Sequence, residues 1–263
     1  MYRFSNKTVL VTGASSGIGR QTALDLSSKG ARLLLCARRE NLLQELADQI
    51  KSSGNHAEII PCDLTIQESR DKLIGKVTSL CGCPDVIINN AGYGNYRSFA
   101  DESPADIARM MELNYMAAAH IMSAFINPML QRRSGVIVNV SSGAGKVAIP
   151  FMASYCATKF ALCALTEAVS YEIRGSGVTI HLINPGPVKT EFFNAGVWEG
   201  DHPVKLASAE QVSRTIQDAI HKNRLISYVP PKRGLMVYAY NLLDPLARKI
   251  MIRKVKRHKR STA

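Results

Sequence analysis

Short apolar runs alternate with longer amphipathic stretches along most of this chain. The runs are Thr8 to Val11, Arg32 to Cys36, Ala57 to Ile60, Asp85 to Ile88, Val136 to Val140, Val178 to Ile183 and Leu225 to Val229. Runs this short, apolar almost throughout, predict strands buried on both faces, as in a parallel sheet. Between them lie helical patterns, one ending near Lys29, one over Glu40 to Ser53, and others opened by start signals. Thr65-Ile66-Gln67-Glu68 reads as a capping box. Ser103 reads as a cap and Pro104 as the first position of a long helix. Ser208-Ala209-Glu210-Gln211 caps a further helix. The alternation predicts an α/β fold of three layers, a doubly wound and mostly parallel sheet with helices on both faces. No repeat or low-complexity linker divides residues 1–231, so they are expected to form a single domain. Residues 232–263 are expected to form a basic amphipathic helical extension, with a mixed apolar helix over Lys232 to Asn241 and another opened by Asp244-Pro245.

The polar segments that follow the strands carry the chemistry. The first run enters Thr12-Gly13-Ala14-Ser15-Ser16-Gly17-Ile18-Gly19 and then a helix. Strand, glycine turn, helix and strand make a dinucleotide-binding unit of the Rossmann type. Gly13 permits a tight turn, Gly17 lets the backbone approach a pyrophosphate, and Gly19 lets the helix pack close to the sheet. The helix start offers free N–H groups to phosphate. Asp63, Asn89-Asn90-Ala91-Gly92, Ser142 and Pro185-Gly186 also follow predicted strands, so all should converge on one edge of the sheet.

One stretch, Asn139 to Lys159, passes from a strand through small residues into a helix. Tyr155 and Lys159 are four apart and share a helix face. An ammonium beside a phenol is expected to draw the phenol pKa from about 10 toward neutrality, which gives a group able to donate and accept a proton. Ser141 and Ser142 compete for the pocket, because successive strand residues face opposite sides.

Composition changes the picture in two places. The 263 residues carry a net charge of +12, which at first suggests nucleic acid or a membrane. After Asp244, however, there are no acids. Arg248, Lys249, Arg253, Lys254, Lys256, Arg257, Lys259 and Arg260 supply eight of those charges, so the body carries only +4. No apolar run is long enough for a membrane span, and no hydrophobic leader precedes Val9. A cytoplasmic protein is expected. The six cysteines match no zinc spacing, so they are expected to be reduced, and no metal is expected.

With these residues in their order, the chain resembles the short-chain dehydrogenases/reductases, in their single-domain form, over roughly residues 5 to 230. The matching elements are Thr12-Gly13-x-x-x-Gly17-x-Gly19, Asp63, Asn89-Asn90-Ala91-Gly92, Asn114, Ser142, Tyr155-x-x-x-Lys159 and Pro185-Gly186 followed by Thr190. The resemblance implies that Tyr155 exchanges a proton with a carbonyl or alcohol as hydride moves to or from nicotinamide. It implies that Lys159 lowers the Tyr155 pKa and binds the nicotinamide ribose. Ser142, chosen over Ser141 by the family spacing, would stabilise the substrate oxygen. Asn114 would hold a water in a proton relay. Cofactor contacts would come from Gly13, Ser15, Ser16, Gly17, Ile18, Gly19, Asn90, Ala91, Gly92, Tyr155, Lys159, Pro185, Gly186 and Val188. Asp63 and Leu64 would border the adenine and Thr190 the carboxamide.

Where NAD-binding members carry Asp, this chain has Ala37, followed by Arg38 and Arg39. Two arginines there suit a 2′-phosphate, so NADP(H) is expected, with Arg38 the principal contact. The alanines at 153, 157, 161, 164 and 168 form a stripe suited to close helix approach, and the family commonly dimerises through this helix, so a homodimer is expected. Tyr93, Tyr96, Phe151, Phe192, Phe193 and Trp198 suggest an apolar, lipid-like ketone or secondary alcohol as substrate. The basic tail suggests an anionic membrane surface. A nucleic-acid partner is not expected, because the body shows no matching face. The other reading of the same residues is a non-catalytic NADP(H)-binding sensor or scaffold, against which the full Asn, Ser, Tyr and Lys set argues.

Overall fold

The computed structural model describes residues 2–190, 206–243, 245, 248–253 and 255. Phe192, Phe193 and Trp198, expected to meet the substrate, and the expected cap Asp244 lie outside the described residues, as does most of the basic tail.

Seven strands form one sheet: β1 (Thr8–Thr12), β2 (Arg32–Ala37), β3 (Ala57–Pro61), β4 (Val86–Asn89), β5 (Gly135–Val140), β6 (Val178–Pro185) and β7 (Ile226–Val229). Their order is β3-β2-β1-β4-β5-β6-β7, with every pair parallel. The winding reverses between β1 and β4, which opens a crevice beyond the strand ends. The helices are α1 (Gly17–Ser27), α2 (Glu40–Ser52), α3 (Gln67–Cys81), α4 (Pro104–Met111), α5 (Ala117–Gln131), α6 (Ala153–Glu172), α7 (Ala209–His221) and α8 (Lys232–Leu242).

Strand alternation divides the core in two. Val9, Val11, Leu33, Leu35, Val86 and Ile88 face α1, α2 and α7, where Leu26, Leu46 and Ile216 meet them. Leu10, Leu34, Ile87 and Ile137 face the other way, onto Leu73 of α3, Phe125 of α5 and Leu165 of α6. Burial on both faces is why these strands read as continuous apolar runs. The predicted three-layer, doubly wound fold is therefore the observed one. No helix among the described residues is long and apolar enough to cross a membrane.

Local signals mostly act as their chemistry suggests. Ser103 accepts from the Asp106 N–H with Pro104 in the first turn of α4. Ser208 and Gln211 complete a reciprocal capping box on α7. One expectation fails. Thr65 caps nothing: its hydroxyl and its N–H both donate to Asp63 Oδ1, at 2.7 and 2.9 Å. The nearby carboxylate outcompetes the helix start, and α3 begins only at Gln67, with Ile66 at its N-cap. The long helix expected after Ser103 runs from Pro104 to Gln131, with one irregularity. A π-turn, Glu112–Met116, separates α4 from α5, and such turns gather at functional sites.

On α6 the buried residues are Ser154, Tyr155, Cys156, Thr158, Lys159, Leu162, Cys163 and Thr166. The alanines at 153, 157, 164 and 168 are exposed. Packing within the chain and the alanine stripe thus use different faces of this helix.

Candidate active site

The site forms where β4, β5 and β6 end beside the start of α6. β5 runs into Ser141 and Ser142, and the pleat sends their side chains in opposite directions. Ser141 is buried, with its hydroxyl 3.2 Å from the Lys159 carbonyl and 3.3 Å from Cys163 Sγ. Ser142 lines the open cleft, accepts from the Ala144 N–H at 3.1 Å and hydrogen-bonds Tyr155. Both serines border the cleft, but only Ser142 turns its hydroxyl to Tyr155, while that of Ser141 is held at the Lys159 carbonyl and Cys163.

Tyr155 and Lys159 are both buried, at 7% and 4% exposure. The ammonium lies 5.9 Å from the Tyr155 ring centroid and donates to the Val140 carbonyl at 3.1 Å. The expected depression of the tyrosine pKa is not what the structure holds. Burial pushes the Tyr155 phenol up to about 12, against a smaller lowering by the Ser142 hydrogen bond. Burial likewise lowers the Lys159 ammonium to about 8. Desolvation opposes both charged forms and sets the direction of both shifts. At neutral pH the phenol therefore holds its proton beside a mostly charged lysine.

Asn114 sits in the π-turn and is buried. Its amide donates to the Tyr93 carbonyl at 2.8 Å and to Thr158 Oγ1 at 3.0 Å, and accepts from the Tyr93 N–H at 2.9 Å. Thr158 in turn donates to the Tyr155 carbonyl at 2.8 Å. Gly92 closes the gap: a Cβ there would lie 3.0 Å from Asn114 Oδ1 and 3.4 Å from Lys159 Nζ. The π-turn is anchored from outside by buried Arg70, whose guanidinium donates to Glu112 Oε2 at 2.7 Å and to the Leu64 carbonyl at 2.8 Å.

The other end of the cleft is the glycine turn. Gly13 and Gly17 have φ of +65° and +53°, a region that favours glycine. At Gly19 a Cβ would lie 2.2 Å from the Gly13 carbonyl oxygen, so only glycine lets α1 start this close to the strand. Ser16 at the N-cap makes no side-chain capping bond and the first turn holds no acid, so the N–H groups of α1 are left for an anion. Arg39 reaches back across the turn, donating to Ser15 Oγ at 3.2 Å and Ser16 Oγ at 2.7 Å. Arg38 is 58% exposed and stands 4.0 Å from Asp63. Burial works to raise the Asp63 carboxyl, but the Thr65 hydrogen bonds with Arg38 and Arg109 hold it below the usual carboxylate range.

Both ends belong to one open cleft of about 1080 Å³. Gly13, Ser15, Ser16, Gly17, Ile18, Arg38, Arg39, Leu64, Asn90, Ala91, Gly92, Ser142, Tyr155, Lys159, Pro185, Gly186, Val188 and Thr190 line it. Asn114, Gly19 and Asp63 do not: Asn114 and Gly19 stand behind the wall, and Asp63 turns to Thr65 and Arg38.

A family model described as short chain dehydrogenase matches residues 7–201. The chain belongs to the short-chain dehydrogenases/reductases. Among its relatives, an NADPH-dependent pterin aldehyde reductase of Arabidopsis thaliana is 36% identical over 72% of this chain and 78% of its own. The dehydrogenase/reductase SDR family member 7B of Mus musculus is 30% identical over 97% of this chain and 83% of its own. A short-chain dehydrogenase/reductase of Burkholderia phymatum, solved with NAD, is 25% identical with a TM-score of 0.84, covering 94% of this chain and 97% of that one. A short-chain dehydrogenase of Sphingobium yanoikuyae, solved with NADPH, is 26% identical with a TM-score of 0.81, over 93% and 95%. This short-chain dehydrogenase/reductase is therefore an oxidoreductase of a family that acts on CH–OH and carbonyl groups with a nicotinamide cofactor.

The residues present fit such a cofactor. The uncapped helix start and the positive-φ glycines suit a diphosphate, and the polar ends of β4 and β6 border the same space. Three supports had no reading in the sequence. Thr12 donates to the Ile88 carbonyl at 3.3 Å and accepts from the Asn90 and Ala91 N–H groups at 2.9 and 3.1 Å. Asn89 donates to Asn139, and Asn139 to Thr166, at 2.9 and 2.8 Å beneath the site. Arg70 holds the π-turn. A polar residue inside an apolar strand, as Asn139 is in β5, is the one signal that pointed to any of them.

Proposed function

We propose that this chain is an NADP(H)-dependent carbonyl reductase or alcohol dehydrogenase, interconverting a ketone and a secondary alcohol on an apolar, lipid-like substrate. The observation that carries the reading is the Ser142, Tyr155 and Lys159 set at one end of a cleft whose other end presents Arg38 and Arg39. Bound NADPH would supply the hydride. A carbonyl oxygen between Ser142 and Tyr155 takes a hydrogen bond from the serine hydroxyl, which stabilises its growing negative charge. Tyr155, protonated at neutral pH, gives its proton to that oxygen. The tyrosinate left behind is stabilised by the Lys159 ammonium, which stays mostly charged below about pH 8. Asn114 holds Thr158 and the Tyr93 backbone so that Tyr155 keeps its place. Tyr96 and Phe151, with ring centroids 5.4 Å apart, give the cleft an apolar wall.

Arg38 and Arg39 end β2 with no acid beside Ala37, an arrangement that suits a 2′-phosphate over a bare ribose. The exposed alanines of α6, with Phe160 beside them, suit a homodimer built on that helix. Exposed Leu235, Tyr238 and Leu242 on α8, ahead of the basic tail, suit an anionic membrane surface. The test is NADPH consumption by the purified chain with ketones and 3-oxoacyl compounds of increasing length. Turnover should rise with length and be faster with NADPH than NADH. Faster turnover with NADH would overturn the cofactor reading, and no turnover on any carbonyl would overturn the enzyme reading.

A further inference from the structure

Besides Arg38 and Arg39, the cleft has a second cationic wall, from the first turn of α8. Arg233 lies there, its backbone N–H fixed by the Pro230 carbonyl at 3.0 Å. Its guanidinium rests directly on the turn that ends β6. A Cβ on Gly186 would stand 2.3 Å from Arg233 Cζ and Nε and 2.7 Å from Nη1. Any other residue at Gly186 would evict the guanidinium from this place.

The same turn borders the proton-transfer end of the cleft. A Cβ on Gly143, next to Ser142, would stand 3.7 Å from the Pro185 carbonyl oxygen. The segment that carries Ser142 and the guanidinium of Arg233 thus both approach Pro185-Gly186, and both residues line the cleft. Arg233 is half-buried, and burial holds its pKa below the usual range. Among the described residues no carboxylate pairs with it, whereas Arg38, Arg70 and Arg97 each have one. A partly desolvated guanidinium without a counter-charge is costly, and an arriving anion offsets that cost. Its planar fork matches an oxyanion in two hydrogen bonds. One turn further along α8, Met236, Val237 and Tyr240 continue the wall as apolar surface.

We propose that Arg233 is a specificity residue that binds an oxyanion carried by the carbonyl substrate, whose alkyl part runs along Met236 and Tyr240. The substrate is then amphiphilic, a ketone with an acidic group at a fixed distance from the reacting carbon. The proposal rests on the reductase reading. The cofactor is the competing source of an oxyanion, and the test separates the two.

Oxo acids with increasing numbers of methylenes between ketone and carboxylate are compared with their own methyl esters, with NADPH saturating. Wild type should prefer the free acid at one spacing by about 10- to 100-fold in kcat/KM, the range of a charge-assisted hydrogen bond. Arg233→Gln should abolish that ratio, and Arg233→Lys should keep part of it, since the charge remains and the fork is lost. NADPH affinity, read by fluorescence titration, should stay within about twofold in both variants. Esters turned over with no acid preference at any spacing would overturn the inference alone, without recourse to a variant. A loss of NADPH affinity in Arg233→Gln matching the loss in kcat/KM would also overturn it, by giving the guanidinium to the cofactor. No turnover of ester or acid would remove the reductase reading and this inference with it.

Discussion

At the glycine-turn end, the cleft is made of main chain and exposed charge: positive-φ glycines, the bare start of α1, and arginines reaching over from the end of β2. At the tyrosine end it is made of buried side chains, each held by another. Tyr155 is backed by Thr158, Thr158 by Asn114, Asn114 by the π-turn, and the π-turn by Arg70. The first end binds with groups the fold would possess anyway, so its preferences can change at small cost to stability. The second end is set into the core, so its chemistry and the stability of the domain depend on the same atoms. Its buried lysine and phenol are also groups that folding would do better without.

Substitutions can sharpen or break this contrast. The largest effect is expected at Tyr155. Tyr155→Phe removes only the hydroxyl and should cut carbonyl reduction about 10²- to 10⁴-fold, the range of general-acid catalysis, while NADPH still binds in a fluorescence titration. Next, the serines should part. Ser142→Ala should cut kcat about 10²- to 10³-fold by removing a donor to the substrate oxygen. Ser141→Ala should leave kcat near wild type and cost about 1 kcal/mol in urea unfolding, the worth of a hydrogen bond. The opposite pattern would exchange their roles.

Lys159→Met should abolish turnover yet stabilise the protein at pH 7. The lysine pKa falls from 10.5 to about 8 on folding, so its burial cost, on the order of 3 kcal/mol, is fully present below about pH 8. The sign follows from proton counts. The unfolded chain binds this proton more tightly, so the cost fades as pH rises from about 8 to 10.5, and the gain in the variant should shrink over that window. Urea midpoints at pH 7 and pH 10 check this, and an equal gain at both would put the lysine charge elsewhere. The smallest effect on the fold belongs to the arginines. Replacing Arg38 and Arg39 by Ala should weaken NADPH binding about 10- to 100-fold, spare NADH, and leave the unfolding midpoint nearly unmoved. A large loss of stability there would erase the contrast between the two ends.

The sheet was legible because a strand covered on both faces has to be mostly apolar, as Val9 to Val11, Val86 to Ile88 and Val136 to Val138 are. The Ser103 and Ser208 caps were legible because each hydroxyl accepts from the N–H three residues on, as the pattern requires. Thr65 had the same pattern, but Asp63 stood two residues away and took the hydrogen bonds. The π-turn was invisible because one extra residue hardly disturbs an amphipathic pattern over so long a helix. Residues that follow strands could be gathered at one edge from their order alone, and the cleft does collect most of them. Which of them reach its surface depended on the pleat and on close packing, and Gly19 and Asp63 turned out to stand off it. The phenol pKa was misjudged because a four-residue spacing reports proximity to a charge and says nothing of how much water both groups lose. Arg233 gave no signal, because its neighbour Gly186 is 47 positions away and only the fold brings them together.

The strand order also bears on how the chain is made. β1, β2 and β3 leave the ribosome first, yet the free edge of β1 is filled only by β4, beyond α3. Until Val86 to Asn89 are synthesised, the nascent chain shows one side of a strand buried in the finished sheet, Val9 to Val11, as an open hydrogen-bonding edge. Such an edge pairs readily with other chains. The interval between synthesis of β1 and of β4 is thus one in which an edge that the finished sheet covers stands open to wrong pairing.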